Sequence, residues 1–481
     1  MRFTTLTFLF FFIAVYVLFW VVRGRSRLGL LIGASLVFYA AWSPAFALHF
    51  FLLVAINHAL ITLLHRNRSK ALLIGILVLD MGNLFLFKYF YLFLRSLLDL
   101  TGLGIFEPQQ FNGFLEQTFG VDSITLPLAI SFYTFQMTAY AVDVYRGQVE
   151  KQARFTEFAT FILFFPQLVA GPIMRHSDFF YQLEDVRPDE NRMLEGGMLL
   201  CQGLIKKVVI ADNTITAIQL VYNDPGAFDW TSGLVAVFGY TVRVYCDFSG
   251  YTDIARGLGK LMGFDLPENF RGPFLSITVR EMWQRWHVTL ATWLRDYLFI
   301  PMGGSRVGFL RTQFNLVVTF TLGGLWHGAA YTYIIWGFSQ GAALVIERLG
   351  LMVFRFFVPE REGAPPPGRL IMAGLAFIGF VYSYSVFAFG VIFFNARDLP
   401  TALDLLSQIA FLESGDISPH NGYLVGMVLV TLGFNYIQRK NWFNPLPGRV
   451  RYIITAVLGF LTVLLLATYA PGGNDFIYFQ F

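Results

Sequence analysis

Apolar runs of about 20 residues, the length a helix needs to span a bilayer, recur along the chain between short polar connectors. The candidate spans are 3–22, 28–43, 44–64, 71–95, 124–143, 155–172, 196–222, 232–262, 311–330, 331–354, 370–395, 422–437 and 452–470. Several of them, notably 155–172, 196–222 and 311–330, are too short or too polar to be simple spans. The pattern predicts an all-α, polytopic helical bundle of about 10–13 membrane-embedded helices, with tilted or re-entrant central helices around a cavity.

Composition agrees with a lipid solvent. The 481 residues are 56% hydrophobic, 18% aromatic and only 14% charged, against about 25% charged in ordinary soluble domains. A single water-enclosed core could not hide so much apolar surface, whereas outward-facing Leu, Ile and Phe are at ease in a bilayer. Phe3–Val22 has only Arg2 ahead of it and no small-residue cleavage pattern after it, so it reads as a retained first span. The chain reads as one domain, 1–481, with N-terminal helices 1–222, a distinct central region 243–348 and C-terminal helices 370–470. Pro359–Gly368, with Pro365, Pro366 and Pro367, is its linker-like stretch.

Charge sets the orientation. Basic residues gather at Arg23–Arg27, Arg66–Lys70, Arg146–Arg154 and Arg439–Arg451, while 99–123 and 398–420 carry acids without Lys or Arg. With the basic connectors in the cytoplasm, the N-terminus and the tail Pro471–Phe481 fall outside. The net charge of +4 is small and points to no nucleic-acid partner. Cys201 and Cys246 form no CxxC pair, and neither H-E-x-x-H nor G-x-S-x-G occurs, which argues against a metal site or a serine-hydrolase elbow.

Between Arg243 and Arg348 polar groups enter segments apolar enough for lipid, where by default they face a cavity or mark a site. Val244–Asp253 places Asp247 and Asp253 six residues apart with Ser249 between them; local backbone bonding is the structural alternative. Thr278–Phe299 has the period of one amphipathic helix suited to a membrane interface, with Trp283, Trp286 and Trp293 on its apolar arc. Arg280, Glu281, Arg285, Arg295 and Asp296 lie on the remainder, and His287 at the edge. In Asn315–Gly337, His327 is the single ionisable group, flanked by Trp326, Gly323, Gly324 and Gly328. Burial keeps an imidazole neutral, the state a general base requires; packing against a backbone partner is the alternative.

In order along the chain, NLFLFKYF (83–90), PLAISFYTFQMTAYAVDVYRG (127–147), FPQLVAGPIMR (165–175), GLIKKVVIADN (203–213) and YCDFSGYTDIARGLGKLMGFDLPENF (245–270) precede the two strongest pieces. Those are WQRWHVTLATWLRDYLFIPMGGSR (283–306) and GGLWHGA (323–329); Phe393–Leu399 and FIYFQF (476–481) complete the set. Together they resemble the membrane-bound O-acyltransferase family, in its alginate O-acetylation branch. Cys246 departs from the aromatic residue expected there.

The resemblance implies transfer of an acyl group, acetyl in that branch, from a cytoplasmic thioester donor such as acetyl-CoA to an extracytoplasmic polysaccharide or partner-protein hydroxyl. It implies no bound cofactor, a cell inner membrane location among membrane lipids, His327 as catalytic residue and His287 as its companion. Asp247, Ser249, Arg285, Trp286, Asp296 and Trp326 would bind or position substrate. D-alanyl transfer to teichoic acid by the same fold, or a transporter or flippase, are the alternatives.

Overall fold

The computed structural model describes residues 1–469 apart from 105, 106, 120, 185, 358–367 and 444. The connector 359–367 and the tail Pro471–Phe481, with its FIYFQF ending, lie outside the described residues. The described residues form helices and connectors, with an isolated bridge between Phe228 and Asp416 and no strand. Among the described residues, five helices are long and apolar enough to cross a membrane: Pro44–Asn67, Lys70–Thr101, Tyr331–Phe354, Arg369–Asn395 and Gly448–Tyr469. Leu6–Val21 and Ser26–Ala40 are apolar but shorter. The protein is an all-α, multi-pass membrane protein.

Helix starts follow local capping chemistry. Ser43 and Ser69 each accept the backbone N–H three residues on, satisfying an end donor that lipid could not satisfy. Pro44, whose missing N–H is an orphan at that position anyway, begins one of these helices.

The chain packs as two compact units. The first comprises Met1–Gly196 and Ala255–Pro267. Its core is aromatic: Phe264 packs 5.2 Å from Phe164, 5.3 Å from Phe179 and 6.1 Å from Phe19, centroid to centroid. The predicted span 155–172 is interrupted here. Phe155–Leu163 ends at Phe164, and Phe165–Leu168 starts a new turn, because Pro166 in a continuous helix would clash with the carbonyl one turn back.

The second unit comprises, among the described residues, those of Gly197–Ile254 and Glu268–Tyr469. Phe309–His327 and Tyr331–Phe357 form a close antiparallel hairpin within it. A Cβ on Gly324 would stand 2.9 Å from the Gly337 Cα, and one on Gly341 3.0 Å from the Val317 Cα, so glycine lets the two backbones touch. Thr278–Phe299 is not the single amphipathic helix its period suggests. It divides into Val279–Arg285 and Val288–Leu294, then runs into a π-helical turn, Arg295–Phe299. The break falls at His287, whose φ of 45° is left-handed.

Candidate active site

The break at His287 is held from a distant segment. Asn269, fully buried, accepts the Val288 N–H on its carbonyl at 3.0 Å. Its Oδ1 accepts the Thr289 N–H at 3.2 Å and the Thr289 hydroxyl at 3.0 Å. These bonds replace what the interrupted helix would have supplied, and they offset the strain of a non-glycine residue at positive φ. They also turn His287 inward: the ring is 2% exposed and stands 4.7 Å from Phe248 in an edge-on contact. Burial pushes its pKa down to about 3, so the imidazole is neutral.

His327 ends the helix Phe309–His327, and Gly328 follows in an extended conformation. The glycines around it serve two purposes. Gly324 and Gly328 let Tyr333 approach, since a Cβ at either would collide with it. Gly323 instead faces Leu294 and lines a cavity. The His327 ring sits in an aromatic box, with centroids 4.9 Å from Trp326, 5.0 Å from Trp336, 5.3 Å from Phe394 and 6.5 Å from His287.

Both histidines line one cavity of about 600 Å³. Trp283, Trp286, Trp336, Leu290 and Phe320 make much of its wall apolar. The side chains of Arg280, Arg295 and Arg348 are exposed while the histidines are buried, so the wall runs from a cationic opening to a buried interior. Glu347, also on the wall, accepts the Val279 and Arg280 N–H groups at 2.7 and 3.2 Å and so caps the helix that carries Arg280. Three buried nitrogens on wall residues, Trp283 Nε1, Trp336 Nε1 and His287 Nε2, have no hydrogen-bond partner among the described residues. Two of these nitrogens are donors and the third belongs to the neutral imidazole, a set suited to a polar ligand in an apolar cavity. Among the described residues no three His, Cys, Asp or Glu side chains are grouped to hold a metal ion.

The other residues singled out in the sequence take different places. Trp286 lines the cavity, while Trp326 is buried behind it, 5.8 Å from His287 and 4.9 Å from His327. Arg285 pairs with Glu281 at 2.8 Å, and Asp296 with Arg295 at 2.6 Å. Neither Arg285 nor Asp296 lines the cavity. Asp247 and Ser249 lie outside it in a buried ionic network: Lys207 contacts Asp247 at 2.5 Å and Asp212 at 2.7 Å. Lys206 contacts Asp253 at 2.7 Å and Ser249 at 3.0 Å. Asn269 and Arg348 are residues that sequence reasoning passed over, and in the sequence Arg280 and Arg295 read only as the polar side of an amphipathic helix. An Asn in PENF and an Arg within the helix Tyr331–Phe357 carry no periodic signal that marks them.

The sequence pattern of the membrane-bound O-acyltransferase family matches residues 148–389, which include Asn269, both histidines and the three cavity arginines. The chain is 39% identical over 358 residues to the probable alginate O-acetylase AlgI of Pseudomonas aeruginosa, covering 72% of this chain and 66% of that protein. It is 34% identical over 465 residues to the Azotobacter vinelandii protein of the same name, covering 93% and 87%. It is 32% identical over 421 residues to the peptidoglycan O-acetyltransferase of Helicobacter pylori, covering 80% and 73%.

Proposed function

Because the chain belongs to the membrane-bound O-acyltransferase family, we propose that it moves an acetyl group from a cytoplasmic thioester to a hydroxyl of an extracytoplasmic polysaccharide, directly or through a partner protein. The observation that carries this reading is the pairing of His287 and His327 on the wall of one cavity that opens at three arginines. The relatives are named for alginate and peptidoglycan, both glycans, which supports a glycan as final acceptor.

His327 takes the proton from the acceptor hydroxyl as its oxygen attacks the thioester carbonyl. The C–S bond breaks, a C–O ester bond forms, and the thiolate leaves with the proton returned by the His327 imidazolium. His287 Nε2 accepts a hydrogen bond from the bound acceptor or donor and holds it against the carbonyl. The tryptophan-lined wall excludes water that would hydrolyse the thioester. Arg280, Arg295 and Arg348 bind the phosphates of a donor such as acetyl-CoA. The enzyme sits in the cell inner membrane with this opening toward the cytoplasm.

The test follows radiolabelled acetyl from acetyl-CoA to glycan in membranes holding the wild type or His327→Ala at equal abundance. Loss of a general base is expected to lower transfer by about 10²–10⁴-fold. Full activity in His327→Ala would overturn the assignment.

A further inference from the structure

A second cavity, of about 760 Å³, lies within the first unit. Phe19, Leu28, Leu31 and Phe264 form its apolar side, and these four are buried. Arg25, Arg27, Lys151 and Arg154 face it, against two acids, Glu157 and Glu184. Glu157 is engaged by the neighbouring Arg154, through Nε at 2.9 Å. Arg27 gives its hydrogen bonds to the Val22 and Val186 carbonyls, at 2.7 and 2.8 Å, and lies over the Phe19 and Trp20 rings. Those partners fix the guanidinium without neutralising it. Arg25 and Lys151 are exposed beside it.

The connector that presents Lys151 and Arg154 is itself pinned. His65 Nε2 meets the Val149 carbonyl at 3.3 Å, and His58 Nε2 meets the Ala153 carbonyl at 3.1 Å. Between them Gln152 donates to the Thr62 hydroxyl at 2.5 Å. Residues 58, 62 and 65 share one face of Pro44–Asn67, so three side chains of one helix hold the connector at successive turns. The basic rim is therefore a fixed surface rather than a loose charged loop.

We propose that this cavity binds the headgroup of an anionic phospholipid. The phosphate lies among Arg25, Arg27 and Lys151, and the acyl chains begin against the apolar side. The combination selects the occupant: a soluble phosphate would satisfy the cations but leave the apolar side in water, and a zwitterionic lipid would leave the net positive charge uncompensated. Arg23–Arg27 and Arg146–Arg154 are also two of the basic connectors that the charge pattern places on the cytoplasmic face, where anionic lipid is available.

The full-length protein in detergent is offered equimolar phosphatidylglycerol and phosphatidylcholine, and the retained lipids are counted by native mass spectrometry. Wild type is expected to retain phosphatidylglycerol in preference by on the order of tenfold, and Arg25→Ala/Lys151→Ala to lose that preference. Arg25→Lys/Lys151→Arg is expected to keep it. Equal retention of the two lipids by wild type, or an unchanged preference in the alanine variant, would overturn the proposal. So would displacement of phosphatidylglycerol by millimolar inorganic phosphate, which would mark a soluble-phosphate site. None of these readouts depends on acyl transfer.

Discussion

Asn269 Oδ1 receives the His287 Nδ1 at 3.1 Å and, on the same oxygen, the backbone N–H of Thr289. A backbone N–H can only donate, so the Asn269 atom facing it is the oxygen, and His287 Nδ1 must carry its proton. The second ring nitrogen, Nε2, then holds the lone pair. Because His287 is buried and neutral, this tautomer is fixed by a side chain eighteen residues away.

That relationship predicts different outcomes for two substitutions. Asn269→Leu removes the acceptor and releases the tautomer, and kcat is expected to fall about 10²-fold with little change in donor KM. Asn269→Asp keeps an acceptor in place and adds a negative charge beside the ring. It is expected to retain more activity than Asn269→Leu and to move the acidic limb of the pH–rate profile upward. A leucine variant with wild-type kcat would remove Asn269 from any positioning role.

The cavity arginines bear on the donor rather than on chemistry. Single replacement of Arg280, Arg295 or Arg348 by Gln is expected to raise the KM for acetyl-CoA by about 5–30-fold, the loss of one charge-assisted bond, while kcat changes little. The effect should be larger for acetyl-CoA than for acetyl-pantetheine, which has no phosphate. Equal losses with both donors would place the arginines elsewhere in the reaction.

Gly324 joins packing to catalysis. Alanine at this position must push Phe309–His327 away from Tyr331–Phe357, because its Cβ would meet the Tyr333 carbonyl and the Gly337 backbone. Gly324→Ala is expected to cost about 1–3 kcal/mol of stability through overpacking, and to lower acetyl transfer further by displacing His327. Gly422→Ala, on a helix with nothing within reach of the added carbon, is the control and should leave both unchanged.

The ionic network gives a prediction about folding alone. Asp253→Asn leaves Lys206 buried beside a neutral partner, whereas Asp247→Asn leaves Lys207 its second carboxylate, Asp212, at 2.7 Å. Asp253→Asn is expected to cost about 3–5 kcal/mol and Asp247→Asn less, seen as a lower unfolding midpoint in detergent or as poor accumulation. Molecules that do fold should turn over normally, since neither residue lines the cavity. A normal midpoint with lost turnover would move these carboxylates into the reaction.

Much of the site was legible for a physical reason. His327 is an isolated ionisable group in an apolar run, and lipid makes such a group conspicuous. Its glycines were legible as close-approach positions, and the structure divides them between helix contact and cavity wall. What periodicity could not reveal is the break at His287. The apolar arc of Thr278–Phe299 is what a continuous helix would show, yet Val279, Met282, Trp286, Leu290 and Trp293 are buried on both sides of the break. The bonds from Asn269 that stabilise the break come from a segment with no periodic signal. Asp247 and Ser249 drew attention by the same reasoning as His327, but their partners lie some forty residues earlier, at Lys206 and Lys207. Pairing across that separation gives these side chains buried partners outside the cavity.

The network also constrains how the protein is made. Lys206 and Lys207 sit on one helical segment, and Asp247, Ser249 and Asp253 on the next, reached through the turn at Pro225–Ala227. A nascent chain halted at that turn would hold two ammonium groups lacking two of their carboxylate partners. Charge neutralisation in this network is therefore complete only when both segments have been made and packed together. For this stretch, the unit of folding is a pair of helices rather than a single one.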